Sequence, residues 1–105
     1  MTAPRERLPN RRQLETFEIR AGHHVYTASV GFFPDGRIGE VFLSGRKCGT
    51  DTDTAVKDAA ILLSLGLQHG CAISAFREAM QRNSHGVAEG PIGVLLDALA
   101  SGGEQ

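Results

Sequence analysis

The run Val25-Tyr26-Thr27-Ala28-Ser29-Val30-Gly31-Phe32-Phe33, the turn Pro34-Asp35-Gly36 and the run Ile38-Gly39-Glu40-Val41-Phe42-Leu43 decide the fold. Val, Ile, Tyr and Phe crowd both runs, which is strand composition. At a period of two, Tyr26, Ala28, Val30 and Phe32 share one face. In the turn, Pro34 presets φ and Gly36 accepts a positive φ. Upstream, Phe17 and Ile19 alternate with Glu18 and Arg20, a shorter strand that Ala21-Gly22 turns into the next. Strands joined this closely predict a three-stranded antiparallel meander.

The loop Gly45 to Gly49 follows, and helical periodicity takes over after the Thr-Asp repeat Thr50 to Thr54. Asp51 or Asp53 is expected to cap the first turn and complement the helix dipole. Val56, Ala59, Ala60, Leu63 and Leu67 form one stripe, and Ile61, Leu62 and Leu65 broaden it. That breadth predicts a helix buried on most sides. Gly70 supplies the stop. Ser74 is placed to cap a second helix with Phe76, Ala79 and Met80 on its apolar face. Asn83 to Gly90 reads as a polar loop. Pro91 suits the first turn of a third helix, with Ile92, Leu95, Leu96 and Leu99 facing inward. Strands first and helices second predict an α+β domain, with two or three helices packed on one face of the sheet.

The chain has 105 residues, enough for one domain. A core of this size buries roughly 65% of the unfolded chain's surface, so neither a disulfide nor a metal is required for stability. Eleven Lys and Arg stand against twelve Asp and Glu, a net charge of -1 that gives no global drive toward nucleic acid or anionic membrane. Charge is concentrated locally. Arg5, Arg7, Arg11 and Arg12 face only Glu6 in the first twelve residues, and Pro4 and Pro9 disfavour a helix there. Residues 1–12 are read as a flexible basic arm, residues 13–100 as the domain, and residues 101–105 as a flexible tail. The longest apolar stretch, Ala59 to Leu67, is too short to span a bilayer, and the N-terminus lacks the apolar segment of a secretory signal. A cytoplasmic protein with reduced Cys48 and Cys71 is expected.

The stretch from His24 through Gly70 carries a further signal: Val25-Tyr26-Thr27, Gly39-Glu40-Val41-Phe42-Leu43, Gly45-Arg46-Lys47-Cys48-Gly49, Ala59-Ala60-Ile61-Leu62-Leu63-Ser64-Leu65 and His69-Gly70. Together these resemble the TSCPD domain. That domain occurs at the C-terminus of vitamin-B12-dependent (class II) ribonucleotide reductases and as a small free-standing protein. The resemblance covers about residues 13–100. The family's full form carries Thr-Ser-Cys-Pro-Asp before the last helix. Here that place reads Glu89-Gly90-Pro91-Ile92-Gly93, which keeps the proline and lacks the cysteine.

The residues do not assemble a reductase. The reaction needs a radical-generating cofactor site, a cysteine to hold the radical and a dithiol pair, in a barrel of several hundred residues in the enzymes the module is joined to. Here Cys48 and Cys71 lie 23 positions apart and form no Cys-x-x-Cys element. His23, His24, His69, His85, Cys48 and Cys71 supply zinc-ligand types, but at no zinc spacing. Arg46, Lys47 and the following helix N-terminus would lower the Cys48 thiol pKa, while Asp51 and Asp53 oppose the effect. The loop Gly45, Arg46, Lys47, Cys48, Gly49 and Thr50 links a strand to a helix, as anion-binding loops do. It lacks the P-loop ending, and the two aspartates already complement the positive helix end. Tyr26, Phe32 and Phe33 beside Arg46 and Lys47 are candidates for stacking bases.

The reading is a TSCPD-like interaction module that is not catalytic on its own. The resemblance implies association with a ribonucleotide reductase (ribonucleoside-diphosphate reductase) subunit and deoxynucleotide synthesis. The alternative is a small nucleotide- or single-stranded nucleic-acid-binding protein. The candidate surfaces are the loop Gly45–Thr50 and the basic arm Arg5, Arg7, Arg11 and Arg12. No catalytic residue, metal set or cofactor is assigned. A homo-oligomer is expected, because a sheet covered on one side leaves an edge open and the Tyr26/Phe32 and Val41/Leu43 faces carry much apolar surface.

Overall fold

The computed structural model describes residues 4–46 and 49–102. Strands β1 (Leu14–Ala21), β2 (His24–Phe32) and β3 (Ile38–Gly45) form a three-stranded antiparallel sheet in the order β1-β2-β3. Helices α1 (Asp51–Gln68), α2 (Ile73–Ala79) and α3 (Pro91–Gly102) follow. This is the α+β meander that the alternation of apolar residues predicts.

Two turns set the register. Gly22 takes φ 62° between β1 and β2, opposite-handed backbone that suits a tight hairpin. Gly36 takes φ 92°, and its N–H donates to the Phe33 carbonyl at 2.9 Å. The register then places Ile19 opposite Tyr26, Ala28 opposite Leu43 and Val30 opposite Val41. These side chains share the inner face and, with Val56, Ala60, Leu63, Leu67, Leu95 and Leu96, form the core. Helix α1 runs along β3, while α3 packs over β1 and touches α2. Pro91 is the first residue of α3, where its missing N–H is harmless.

Several side chains sit differently from expectation. Ile61, Leu62 and Leu65 are exposed, Leu62 at 70%, so α1 is buried on one side only. One helix against one strand covers a single stripe, and among the described residues no second layer reaches the far side. Thr50, not Asp51 or Asp53, caps α1: its Oγ1 accepts the Asp53 N–H at 3.0 Å. Ala72 stands at the N-cap of α2 without a side-chain bond, and Ser74 lies inside the helix. Ala79 is exposed, whereas Phe76 and Met80 pack on the core. Gly45 closes β3 instead of opening the loop, and it is not among the positive-φ glycines. The apolar faces expected to drive self-association are covered: Tyr26, Val41 and Leu43 are each at most 6% exposed.

The segment before β1 lies against the body. Arg5 Nε donates to Gln68 Oε1 at 2.6 Å, and the Glu6 N–H donates to the Gln68 carbonyl at 2.7 Å. Arg37 binds both carboxylate oxygens of Glu6, at 3.0 and 2.9 Å, and stacks over the Phe33 ring. Arg12 pairs with the buried carboxylate of Glu40. Gly31 makes room for Glu40, since a β-carbon there would overlap its side chain. Residues 1–3 and 103–105 lie outside the described residues; Ser101 and Gly102 of the expected tail end α3.

Candidate functional site

The antiparallel register brings the start of β2 beside the end of β3, with Tyr26 opposite Gly45. The N-terminus of α1 follows within a few residues. A cleft of about 480 Å³ opens there, lined by His23, His24, Val25, Tyr26, Gly45, Arg46, Thr50, Thr52 and Asp53. Its volume falls in the range of small-molecule sites, about 300–1,000 Å³.

Gly49 enters the helix with φ 79°, which sets Thr50 in extended backbone as the cap. Asp53, one turn on, is 4% exposed. Its Oδ1 accepts the Gly45 N–H at 3.4 Å, and its Oδ2 meets Lys57 Nζ at 3.1 Å. Lys57 chiefly, then the backbone N–H of Gly45, holds the Asp53 carboxyl below its ordinary pKa against the effect of burial. The carboxylate therefore occupies the positive end of α1, which removes the main attraction of that end for an anion. The remaining polar groups are the Arg46 guanidinium, the Thr50 and Thr52 side chains and two imidazoles. The His24 ring meets the Tyr26 ring edge-on at 6.5 Å between centroids. Arg46, His23 and His24 are exposed. The lining thus offers one guanidinium, two imidazoles and hydroxyls to a small polar ligand.

Of the expected loop, Gly45, Arg46 and Thr50 line the cleft and Gly49 shapes its entry. Lys47 and Cys48 lie outside the described residues. The arm is a separate surface: Arg5 and Glu6 contact Gln68 at the far end of α1, an 18-residue helix about 27 Å long, and Glu6 and Arg12 also meet Arg37 and Glu40. Arg7 and Arg11 are exposed there. Tyr26 and Phe33 are buried at 6% and 3% exposure, so neither presents a ring face to a base, whereas Phe32, the third aromatic expected there, is half-buried. Phe42, at 49%, is the most exposed aromatic of the sheet. Cys71 is an exposed free thiol. Among the described residues, no group of three His, Cys, Asp or Glu could hold a metal, and no helix is long and apolar enough to cross a membrane.

Sequence reasoning singles out the loop without its opposite wall. The signal is present in the chain: the Pro34-Asp35-Gly36 turn folds β3 back along β2, which sets Gly45 opposite Tyr26 and near His24. Sequence alone presents Asp53 as a cap or dipole partner, although its burial ties β3 to α1.

Comparison with known proteins gives the family. The family model for the TSCPD domain matches residues 2–102, and the chain belongs to that family. It is 43% identical over 75 residues to the vitamin B12-dependent ribonucleotide reductase of Agrobacterium fabrum, covering 71% of this chain and 6% of that protein. The reductase of the same name from Bradyrhizobium diazoefficiens is 35% identical over 75 residues, with the same coverage. That of Rhodopirellula baltica is 40% identical over 67 residues, covering 63% of this chain and 6% of the relative. The chain thus spans about one-sixteenth of the curated relatives it matches. No solved structure matches it significantly.

Proposed function

We propose that this domain is an accessory interaction module of deoxynucleotide synthesis. It acts with the catalytic part of a vitamin-B12-dependent ribonucleotide reductase and does not itself reduce the ribonucleotide. One observation carries the reading: 71% of the chain matches a reductase at 43% identity, and the match occupies 6% of that enzyme. The rest of the relative leaves ample length for a catalytic body. The cleft at Tyr26 and Gly45, with Arg46 on its rim, is the surface offered to that partner.

Two measurements test this. Purified chain supplied with adenosylcobalamin, a dithiol and ribonucleotides is expected to form no deoxynucleotide. Titrated calorimetrically into a vitamin-B12-dependent reductase lacking the matching segment, it is expected to bind, and Arg46→Ala is expected to weaken binding. Product from the chain alone, or no binding heat at micromolar protein, overturns the proposal.

Nucleotide binding is a second reading, and the cleft favours it through its volume and the exposed Arg46. A thermal shift with nucleoside triphosphates that Arg46→Ala abolishes would support it. The single-stranded nucleic-acid reading is left with half-buried Phe32 of its three aromatics, since Tyr26 and Phe33 are buried.

A further inference from the structure

The two edges of the sheet differ. The β3 edge is closed by α1: the Val41 N–H donates to Ser64 Oγ at 2.8 Å, and Gln68 Nε2 donates to the Gly39 carbonyl at 2.9 Å. The β1 edge has no such cover among the described residues. The Phe32 N–H donates to the Gln13 carbonyl at 3.0 Å, next to the Leu14–Gly31 pair. In an antiparallel ladder alternate residues bond to the same neighbour. Residues 15, 17 and 19 therefore bond to β2, and the backbone groups of Leu14, Thr16, Glu18 and Arg20 point away from it. No described residue hydrogen-bonds to those four backbones, and all four residues are exposed. An open edge of this kind is a template for another strand.

We propose that a second copy of this chain docks here, β1 against β1, to give a continuous six-stranded sheet. The sequence of β1, Leu14-Glu15-Thr16-Phe17-Glu18-Ile19-Arg20-Ala21, is self-complementary in charge. A two-fold axis normal to the sheet must pair residues of the same face, so it passes at a residue, and around the middle of β1 that residue is Phe17, Glu18 or Ile19. At Glu18 it sets that carboxylate against its own copy. At Phe17 it sets Glu18 against Thr16 and Arg20 against Leu14, leaving both charges unmatched. At Ile19 it sets Glu18 against Arg20 twice, on the exposed face, with Ile19 against Ile19 below. Opposite charges directly across strands attract and like charges repel. The axis at Ile19 is therefore the favoured arrangement. Glu18 and Arg20 face solvent in the single chain, so their charges are free to set the pairing without disturbing the core.

Charge exchange tests the register. Sedimentation velocity of the whole chain across the micromolar range is expected to show a dimer. Glu18→Arg alone and Arg20→Glu alone each replace two attractions by two repulsions, and each should weaken association by about tenfold. The double variant Glu18→Arg/Arg20→Glu should restore the dimer, and an equimolar mixture of the two single variants should form a heterodimer. Circular dichroism should show all of them folded. A monomer throughout the range, a dimer that ignores the single substitutions, or a double variant that stays monomeric would each overturn the proposal.

Discussion

Ser64 closes the edge of the sheet at Val41. Its Oγ accepts the Val41 N–H at 2.8 Å, and its one hydroxyl hydrogen is shared between the Val41 carbonyl at 3.0 Å and the Ala60 carbonyl at 2.9 Å; Val41 itself has 0% exposure. Asp53 does the same for the Gly45 N–H, and Gln68 for the Gly39 carbonyl. Asp53, Ser64 and Gln68 form a polar stripe beside the apolar stripe of α1. The helix thus packs on β3 with one stripe and completes its hydrogen bonding with the other. Without the stripe, burying β3 under α1 would strand backbone donors and acceptors.

Ser64→Ala should therefore cost more than one ordinary hydrogen bond. It leaves both the N–H and the C=O of Val41 without this partner, and an unsatisfied buried group costs about 1–3 kcal/mol. Urea denaturation is expected to show a lowered midpoint with an unchanged slope. A loss of a few tenths of a kcal/mol would mean that water replaces the hydroxyl.

The loop glycines separate by backbone. Gly49 has φ 79°, and a β-carbon added to it would meet nothing within 4 Å, so a side chain there brings conformational strain and no clash. Gly49→Val should destabilise by about 1–3 kcal/mol. Gly45 lacks a positive φ, and a β-carbon would sit at ordinary contact, 3.5 Å from Tyr26 Cε2. Gly45→Ala should stay within about 0.5 kcal/mol of the parent. Equal thermal-shift losses for the two would refute this assignment of roles.

The meander is legible in the sequence because alternation in β2 and β3 and the two glycine turns all agree. The site is half legible. Periodicity places Tyr26 on a face with Ala28 and Val30, but it does not say that this face is the inner one, so Tyr26 stays open to a stacking role. Ile61, Leu62 and Leu65 mislead for a related reason: apolar residues around α1 imply several packing partners, and β3 is on one side only. Ser64 looks like a break in an apolar run, when it is the residue that joins α1 to the sheet edge. Such a role depends on the register of a helix against a strand, which a single sequence does not display.

Acid sensitivity should arise at Asp97. This α3 carboxylate takes Arg82 Nη1 at 2.9 Å, Arg82 Nη2 at 2.8 Å and Arg77 Nε at 2.7 Å. Arg82 chiefly, then Arg77, hold its pKa well below the ordinary carboxylate value of 3.8. A folded pKa below the unfolded one gives stability that is complete above the unfolded value and is lost as pH falls beneath it. Asp97→Asn should lower the melting temperature at neutral pH and flatten its decline below about pH 4, the range where an unfolded aspartate takes up its proton. A variant that melts with the parent's full acid dependence would place that dependence in other carboxylates.

Gly66 sets two effects against each other. It lies within α1, where exchange for alanine gains about 1 kcal/mol of helix propensity. A β-carbon there, however, would stand 2.4 Å from Phe76 Cζ and 3.3 Å from Cε1 and Cε2. Phe76 is the ring by which α2 packs on the core, and the glycine lets it approach the α1 backbone. Overpacking costs about 1–3 kcal/mol, which exceeds the propensity gain. Gly66→Ala should therefore be destabilising by about 1 kcal/mol as the balance of these two ranges. Combined with Phe76→Leu, whose shorter side chain vacates the space, the alanine should do less harm than it does alone. Chemical denaturation of the two single variants and the double variant measures that coupling. If Gly66→Ala stabilises the parent, the ring moves aside at little expense and α2 is not held by this contact.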